Sequence, residues 1–406
     1  MSSLSLSMSP ARRRLALFSL TLGGFGIGAT EFVAMGLLPN IARDLLPSLS
    51  ASNPAEAEAR VGLIISAYAL GVVVGAPTIA ATTARIPRRR LLLLLLLAFT
   101  VFTVLSALSP SYAFVMVARF AAALPHGAYF GIASLVAAEI MGPGKSARGV
   151  SMVLGGLTVA NVVGVPAITW VGQLYGWRVA YLVVASIFFL ALVSVFFTVP
   201  GHAPDPQASV RSELSAFRIP RFWLAFGFGA IGSGGFFAFY SYISPMVTNL
   251  TAFDEGIVPW ILVTVGLGMT VGNIVGGRVS DRSIRLGLLI PFIGMLCSLV
   301  FAVLTATWVS AVFVGGFLLG WFNSMLSPAL QTRLVSLAPR SPSIAAAMNH
   351  SSLNIGNSLG AFLGGSAIAL TLDYRAQLYV GIILCAIGLV LCVWSLQLDR
   401  NPGARA

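Results

Sequence analysis

Leu15-Ala-Leu-Phe-Ser-Leu-Thr-Leu-Gly-Gly-Phe-Gly-Ile-Gly-Ala-Thr-Glu31-Phe-Val-Ala-Met-Gly-Leu-Leu38 is a run of 24 residues with a single charge. A stretch of this length crosses a hydrocarbon core of about 30 Å as a helix. Glu31 is the only acidic side chain deep inside any of the long apolar runs of the chain. A carboxylate at the bilayer centre costs about 2.5–3.5 kcal/mol, so an acid placed there is read as a working group, and a protonatable group in a membrane points to proton coupling. The preceding Arg12–Arg14 imitates the start of a secretory signal, but the run is long, lacks an evident small-x-small cleavage site and carries Glu31, so it reads as a retained first helix.

The same pattern recurs along the chain. Of the 406 residues 57% are hydrophobic and 9% charged, and mean hydropathy is +0.93, which no water-facing globular surface of this length tolerates. Eleven further runs follow, near residues 61–79, 91–108, 112–140, 149–171, 179–199, 222–247, 257–276, 286–305, 308–330, 344–372 and 378–396. The chain is therefore expected to be an all-α membrane protein of twelve transmembrane helices; the richness in Leu, Gly and Ala argues against barrel alternation.

The net charge of +12 reports topology, not a nucleic-acid partner. With the N-terminus set inside, nineteen of the 24 Lys and Arg residues fall in the terminal tails and the even-numbered loops, four (Arg43, Arg60, Arg178, Arg375) on the other side and one, Arg119, within a span. This is the positive-inside asymmetry, and it predicts a multi-pass protein of the cytoplasmic membrane with both termini in the cytoplasm. Cys297, Cys385 and Cys392 all fall within predicted helices and read as packing residues; no disulfide framework or metal spacing is present, and no cofactor is expected.

The most polar interior segment, 200–220, reads as a cytoplasmic linker between an N-terminal six-helix bundle (1–199) and a C-terminal one (221–406). Short patterns repeat across it: Ala80-x3-Ala84-Arg85 against Gly277-x3-Asp281-Arg282, Trp177-Arg178 against Tyr374-Arg375, and Asn161-x2-Gly164 against Asn357-x2-Gly360. Two pseudo-symmetric halves imply a midplane binding site at their interface and transport by alternating access, for which a monomer suffices.

Several stretches together resemble the major facilitator superfamily, and within it the twelve-helix drug:proton antiporters of the sugar-efflux and chloramphenicol-resistance-like branch. They are Gly26 to Pro39, Arg119-Phe-Ala-Ala-Ala-Leu-Pro125-His126-Gly127, Gly156 to Pro166, Gly234 to Tyr242, and Asn354-Ile-Gly356-Asn357-Ser-Leu-Gly360. The resemblance implies proton-coupled efflux of a small neutral or amphipathic molecule such as a drug or sugar, with the lipid bilayer as surroundings. It also implies that helices 1 and 4 line the central cavity. Counting along those helices puts Glu31 roughly 13 Å and Arg119 roughly 12 Å below the outer surface. An encounter of the two, directly or through water, would move the proton affinity of Glu31 during the cycle; a static pair holding the two helices together is the plainer reading.

His126 lies two turns beyond Arg119 and could bind substrate or relay a proton, although a lone helical histidine is more often packing; His350 is read chiefly as packing. Phe236, Phe237 and Tyr240 offer aromatic surface, and Asn354 and Asn357 offer amides that would be expensive in lipid, so these five complete the expected substrate site. Gly156, Gly164 and Pro166 match the family's antiporter stretch, where small residues and a kink imply gating. By the same resemblance the loops between helices 2 and 3 and between helices 8 and 9 latch the cytoplasmic side through an Asp–Arg pair. The first copy here has lost its acid and glycines and keeps Arg85, so the latch falls to Gly277, Asp281 and Arg282. Asp281→Asn is expected to shift the balance toward inward-open, and unchanged cysteine accessibility at both faces would sink the idea. An importer on the same fold would use the same acid with opposite coupling, and a non-transporting sensor needs no proton movement. An enzyme is not expected, because no nucleophile elbow, phosphate loop or metal-spaced cluster appears.

Overall fold

The computed structural model describes residues 8–83, 86–142, 146–201, 214–251, 253–339 and 341–399. Among them are twelve helices long and apolar enough to cross a membrane. In the N-terminal half these are α1 Pro10–Gly36, α2 Pro54–Thr83, α3 Arg88–Ala107, α4 Tyr112–Met141, α5 (Ser146–Val159, Ala160–Gly164 and Val165–Tyr175 in series) and α6 Trp177–Thr198. The C-terminal half has α7 Pro220–Ser241, α8 Val258–Arg282, α9 Ile284–Thr305, α10 Val309–Leu337, α11 Pro342–Thr371 and α12 Ala376–Leu398. α1 begins and α12 ends on one face, called here the terminal face; the opposite, distal face carries the short helices Leu38–Leu45, Pro47–Ser52 and Ile243–Leu250. Of the expected linker, residues 202–213 lie outside the described residues, as does Arg85.

Local chemistry sets the helix ends. Ser9 caps α1 through the amide of Arg12, with Pro10 at the first helical position, where its missing N–H costs nothing. Ser111 and Ser283 cap α4 and α9 in the same way. The α5–α6 corner turns on Gly176 at φ 92°, a backbone region that a residue with a Cβ enters only at a cost. Asn53 accepts the amide of Glu56, so α2 starts at Pro54, well before the apolar run that begins at Val61.

Each half packs tightly on itself, α8 on α10 and α7 on α11 and α12 in the second, α1 on α5 and α6 in the first. The halves meet along two seams, α2 against α11 and α5 against α8. α1 and α7 are the most buried helices of their respective halves, which places Glu31 and the α7 aromatics at the centre of the protein.

Candidate functional site

Glu31 is 6% exposed on α1. The adjacent Phe32 reaches across to the other half, stacking on Phe237 with ring centroids 6.5 Å apart and meeting the edge of Tyr240 at 5.6 Å. Phe236 stacks on Tyr240 at 5.1 Å and meets Phe237 at the same distance. From α11, the Asn357 amide comes close enough to the Glu31 carboxyl to act on it, and makes no well-formed hydrogen bond to any of the described residues. Such a buried amide beside a buried acid is polar capacity held in reserve in an apolar place, as a ligand site requires. Phe236, Phe237, Tyr240 and Asn357 of the expected substrate site thus lie about Glu31, the expected proton site.

Arg119 has a different arrangement from the expected one. It does not ion-pair with Glu31. Its guanidinium donates to the hydroxyl of Thr30 at 2.7 Å and to the carbonyl of Thr30 at 2.6 Å, and lies 4.2 Å from the ring centre of Tyr68 and 5.1 Å from that of Tyr181. Arg119 therefore grips the residue before Glu31, while its charge still acts on the carboxyl. The reason is geometric: a helical carbonyl keeps a second lone pair free for an outside donor, and two π faces hold the planar cation between them.

His126 is buried on α4, 1% exposed. Its Nδ1 lies 3.3 Å from the Tyr68 hydroxyl, and its ring faces His350 of the other half at 6.4 Å, with Phe130 stacked on His350 at 5.6 Å. His350 sits seven residues from Asn357 on α11, roughly 10 Å nearer the terminal face. His126, Phe130 and His350 thus form a floor beneath the Glu31 site. Asn354 is buried in the same wall, giving one amide proton to the His350 carbonyl at 3.0 Å and leaving its oxygen unpaired.

The roof is polar. Asn40 and Gln173 of the N-terminal half donate to Glu255 of the other half, at 3.1 Å to its carboxylate and 2.7 Å to its backbone carbonyl, and Arg43 ion-pairs with the same carboxylate. Tyr374 donates at 2.6 Å to Glu58, and Ser66 to the Ser358 carbonyl at 3.1 Å. Tyr242 sends its hydroxyl to the Ala361 carbonyl at 2.6 Å, where the missing side chains of Gly62 and Gly365 leave room for it. On the terminal face the described ion pairs stay within one half: Arg88–Glu139 in the first, Arg333–Asp399 and Arg221–Asp399 in the second. The structure is therefore clasped across its halves on the distal face. Asp281 and Arg282 are exposed, with no partner among the described residues, and Gly277 faces open space.

α5 supplies another wall. Residues Ala160–Gly164 form a π turn immediately before Val165-Pro166, where the proline lacks the amide that would continue the α ladder. The turn presents the Asn161 backbone to Gly266 of α8, with a Cβ at Gly266 falling 2.6 Å from the Asn161 carbonyl carbon. Gly156 likewise lets α5 touch the α1 backbone, a Cβ there falling 2.8 Å from the Phe25 nitrogen. Gly164 meets the ring of Phe25.

Glu58 is a correction. It is a second buried carboxylate, 6% exposed, near the distal start of α2 and outside the long apolar runs in which Glu31 stands alone. The hydropathy run begins only at Val61 and put Glu58 in a loop; the Asn53-Pro54 cap is the signal that could have extended α2 over it. Tyr68 and Tyr181, the cage of Arg119, carried no distinguishing signal. Tyr374→Phe should leave Glu58 buried without its donor whenever the distal face is closed, a loss of about 1–3 kcal/mol to that state. Spin-label distances across the distal face should shift toward open, and a distribution identical to the parent would refute the assignment.

The model of the Major Facilitator Superfamily matches residues 20–258 and 229–406. The chain is 36% identical over 380 residues to the inner membrane transport protein YdhP of Escherichia coli (strain K12), covering 93% of this chain and 95% of that one. It is 30% identical over 389 residues to a chloramphenicol resistance protein of Streptomyces lividans, with 93% and 95% covered. In fold it is similar to a bacterial homologue of the human lysosomal transporter Spinster, solved inward-facing and unoccupied, at a TM-score of 0.75 and 16% identity over 98% of this chain and 100% of that one.

Proposed function

The chain belongs to the major facilitator superfamily of membrane transporters, and from that premise we propose that it expels a small neutral or amphipathic molecule, of the kind of a drug or a sugar, in exchange for protons. The observation that carries this reading is the placement of Glu31: a buried acid with no ion-pair partner among the described residues, at the seam of the two halves, beside the Asn357 amide and the rings of Phe32, Phe237 and Tyr240. Aromatic faces and neutral amides suit an uncharged ligand, and the acid supplies the proton site. The similarity to a chloramphenicol resistance protein supports the substrate class.

In this reading the terminal face is cytoplasmic. Substrate enters when the His126–Phe130–His350 floor parts, and the distal clasp of Glu255 and Tyr374 then opens to release it outside. A proton taken up by Glu31 from outside competes with substrate for the same place, and its release inside resets the cycle. One charge moving inward is worth about 2.3 kcal/mol per 100 mV, enough for roughly a fiftyfold gradient of a neutral solute.

The test is ligand-induced proton flux in proteoliposomes across a panel that includes chloramphenicol and simple sugars. An exporter releases protons into the compartment that its cytoplasmic face meets when substrate is added there, and everted and right-side-out vesicles fix the direction. No proton movement with any ligand that binds would overturn coupling, and proton-driven accumulation on the cytoplasmic side would make the protein an importer.

A further inference from the structure

The outer flank of the N-terminal half carries a feature that transport does not use. Between α3 and α6 an apolar groove of about 300 Å³ opens sideways toward lipid, lined by Leu93, Leu97, Val193, Phe196 and Phe197, with Arg90 at one end. Arg90 is in the first turn of α3 and Phe197 in the last turn of α6, so the charged end lies at the terminal face.

The first turn of α3 has three arginines in a row, each in a different situation. Arg88 is paired with Glu139. Arg89 donates to the Phe196 carbonyl at 2.5 Å and lies 5.4 Å above the Phe196 ring. Arg90 is exposed and has no acidic partner among the described residues. From α1, Arg12 donates to the Thr198 carbonyl at 3.3 Å, which brings a third uncompensated guanidinium to the same helix end. Arg12, Arg89 and Arg90 thus gather where α6 ends, and the nearby acid of α4, Glu139, is engaged by Arg88.

A cation cluster at the mouth of a lateral apolar slot matches one kind of molecule. A soluble anion would meet the arginines and leave the slot unused. A neutral lipid would fill the slot and leave the cations unanswered. Basic pockets between membrane helices at headgroup depth hold anionic lipids for this reason, and α3, twenty residues long, spans the hydrocarbon so that its first turn lies at that depth. We infer that the α3–α6 groove is a binding site for an anionic phospholipid of the adjoining leaflet, its phosphate on Arg90, Arg89 and Arg12 and one acyl chain along Leu93, Leu97 and Val193.

Native mass spectrometry of the full-length protein, titrated with phosphatidylglycerol or phosphatidylcholine of identical chains, tests this. The parent should retain one phosphatidylglycerol at least tenfold better than phosphatidylcholine. Arg90→Gln should lose about fivefold of that preference, the factor one interfacial arginine is worth, while Arg90→Lys keeps most of it. Val193→Trp, which fills the slot and leaves every cation in place, should weaken retention of both lipids. Equal retention of the two lipids by the parent, or an unchanged preference in Arg90→Gln, overturns the site. Displacement of the lipid by glycerol 3-phosphate at comparable concentration also overturns it, because that would show an anion site with no use for the groove.

Discussion

Glu31→Gln is expected to abolish proton-driven transport while leaving substrate exchange intact. Glutamine keeps the volume of the side chain and its place beside Asn357 and Phe32, but it cannot bind or release a proton across the physiological range. The driving force of about 2.3 kcal/mol per 100 mV then has no handle, and an imposed pH gradient should yield no accumulation, against the roughly fiftyfold expected of the parent. Counterflow, in which labelled substrate exchanges against unlabelled, needs only the alternation of the halves and should persist within a few-fold. The two assays in the same proteoliposomes separate coupling from folding. Parental pH-driven accumulation in the variant would remove Glu31 from the mechanism, and loss of both activities would assign it to architecture. Because Arg119 keeps both hydrogen bonds to Thr30 and its place between the rings of Tyr68 and Tyr181, the substitution breaks none of its direct contacts, and loss of coupling with retained exchange is expected.

The second large effect is expected at Gly266. A Cβ built there falls 2.6 Å from the Asn161 carbonyl carbon and 2.9 Å from the Val162 Cα, both backbone atoms of the π turn in α5. Backbone in the middle of a membrane helix cannot step aside as a side-chain tip can, so Gly266→Leu drives a wedge between α5 and α8 whenever the distal face closes. Overpacking of this kind costs about 1–3 kcal/mol or more, which would reverse a balance of states lying close together in energy. Labels on Ser48 and Asn249, exposed on the distal helices of the two halves, should move apart, and turnover should fall at least tenfold. Gly227→Leu is the matched control, since nothing lies within 4 Å of a Cβ at that position. Unchanged distances in Gly266→Leu with normal transport would mean that α5 and α8 do not have to meet during the cycle.

The fold was legible because hydrocarbon imposes a single rule on every span, and the twelve apolar runs obey it individually. The expectation of two like halves rests on small repeats such as Asn161-x2-Gly164 and Asn357-x2-Gly360. Of the candidate site, Glu31, Arg119 and Asn357 stand out in the sequence because their chemistry is conspicuous in lipid. The partners of Arg119 do not, because a tyrosine in a membrane helix reads equally well as belt, packing or ligand, and Tyr68 and Tyr181 differ from other tyrosines only in what stands opposite them. Glu58 was missed for another reason. Hydropathy marks where a segment becomes greasy, not where its backbone becomes helical, and α2 is helical from Pro54. His350 shows a third limit, since pairing between helices from different halves leaves no trace in the spacing of either.

The distal clasp has a consequence for how the protein responds to its surroundings. Arg43, 59% exposed at its side chain, and Glu255, at 27%, meet in contact with water, and such a pair contributes about 0–1 kcal/mol and is screened within a Debye length of roughly 8 Å at physiological ionic strength. The neighbouring bond from Tyr374 to Glu58 is buried and far less sensitive to ions. The clasp therefore combines one element that weakens in brine with one that does not. Raising the salt concentration on the distal side alone should loosen closure by a small, saturating amount and then cease to matter, so that the resting population of the protein is tuned by osmotic habitat and not overthrown by it.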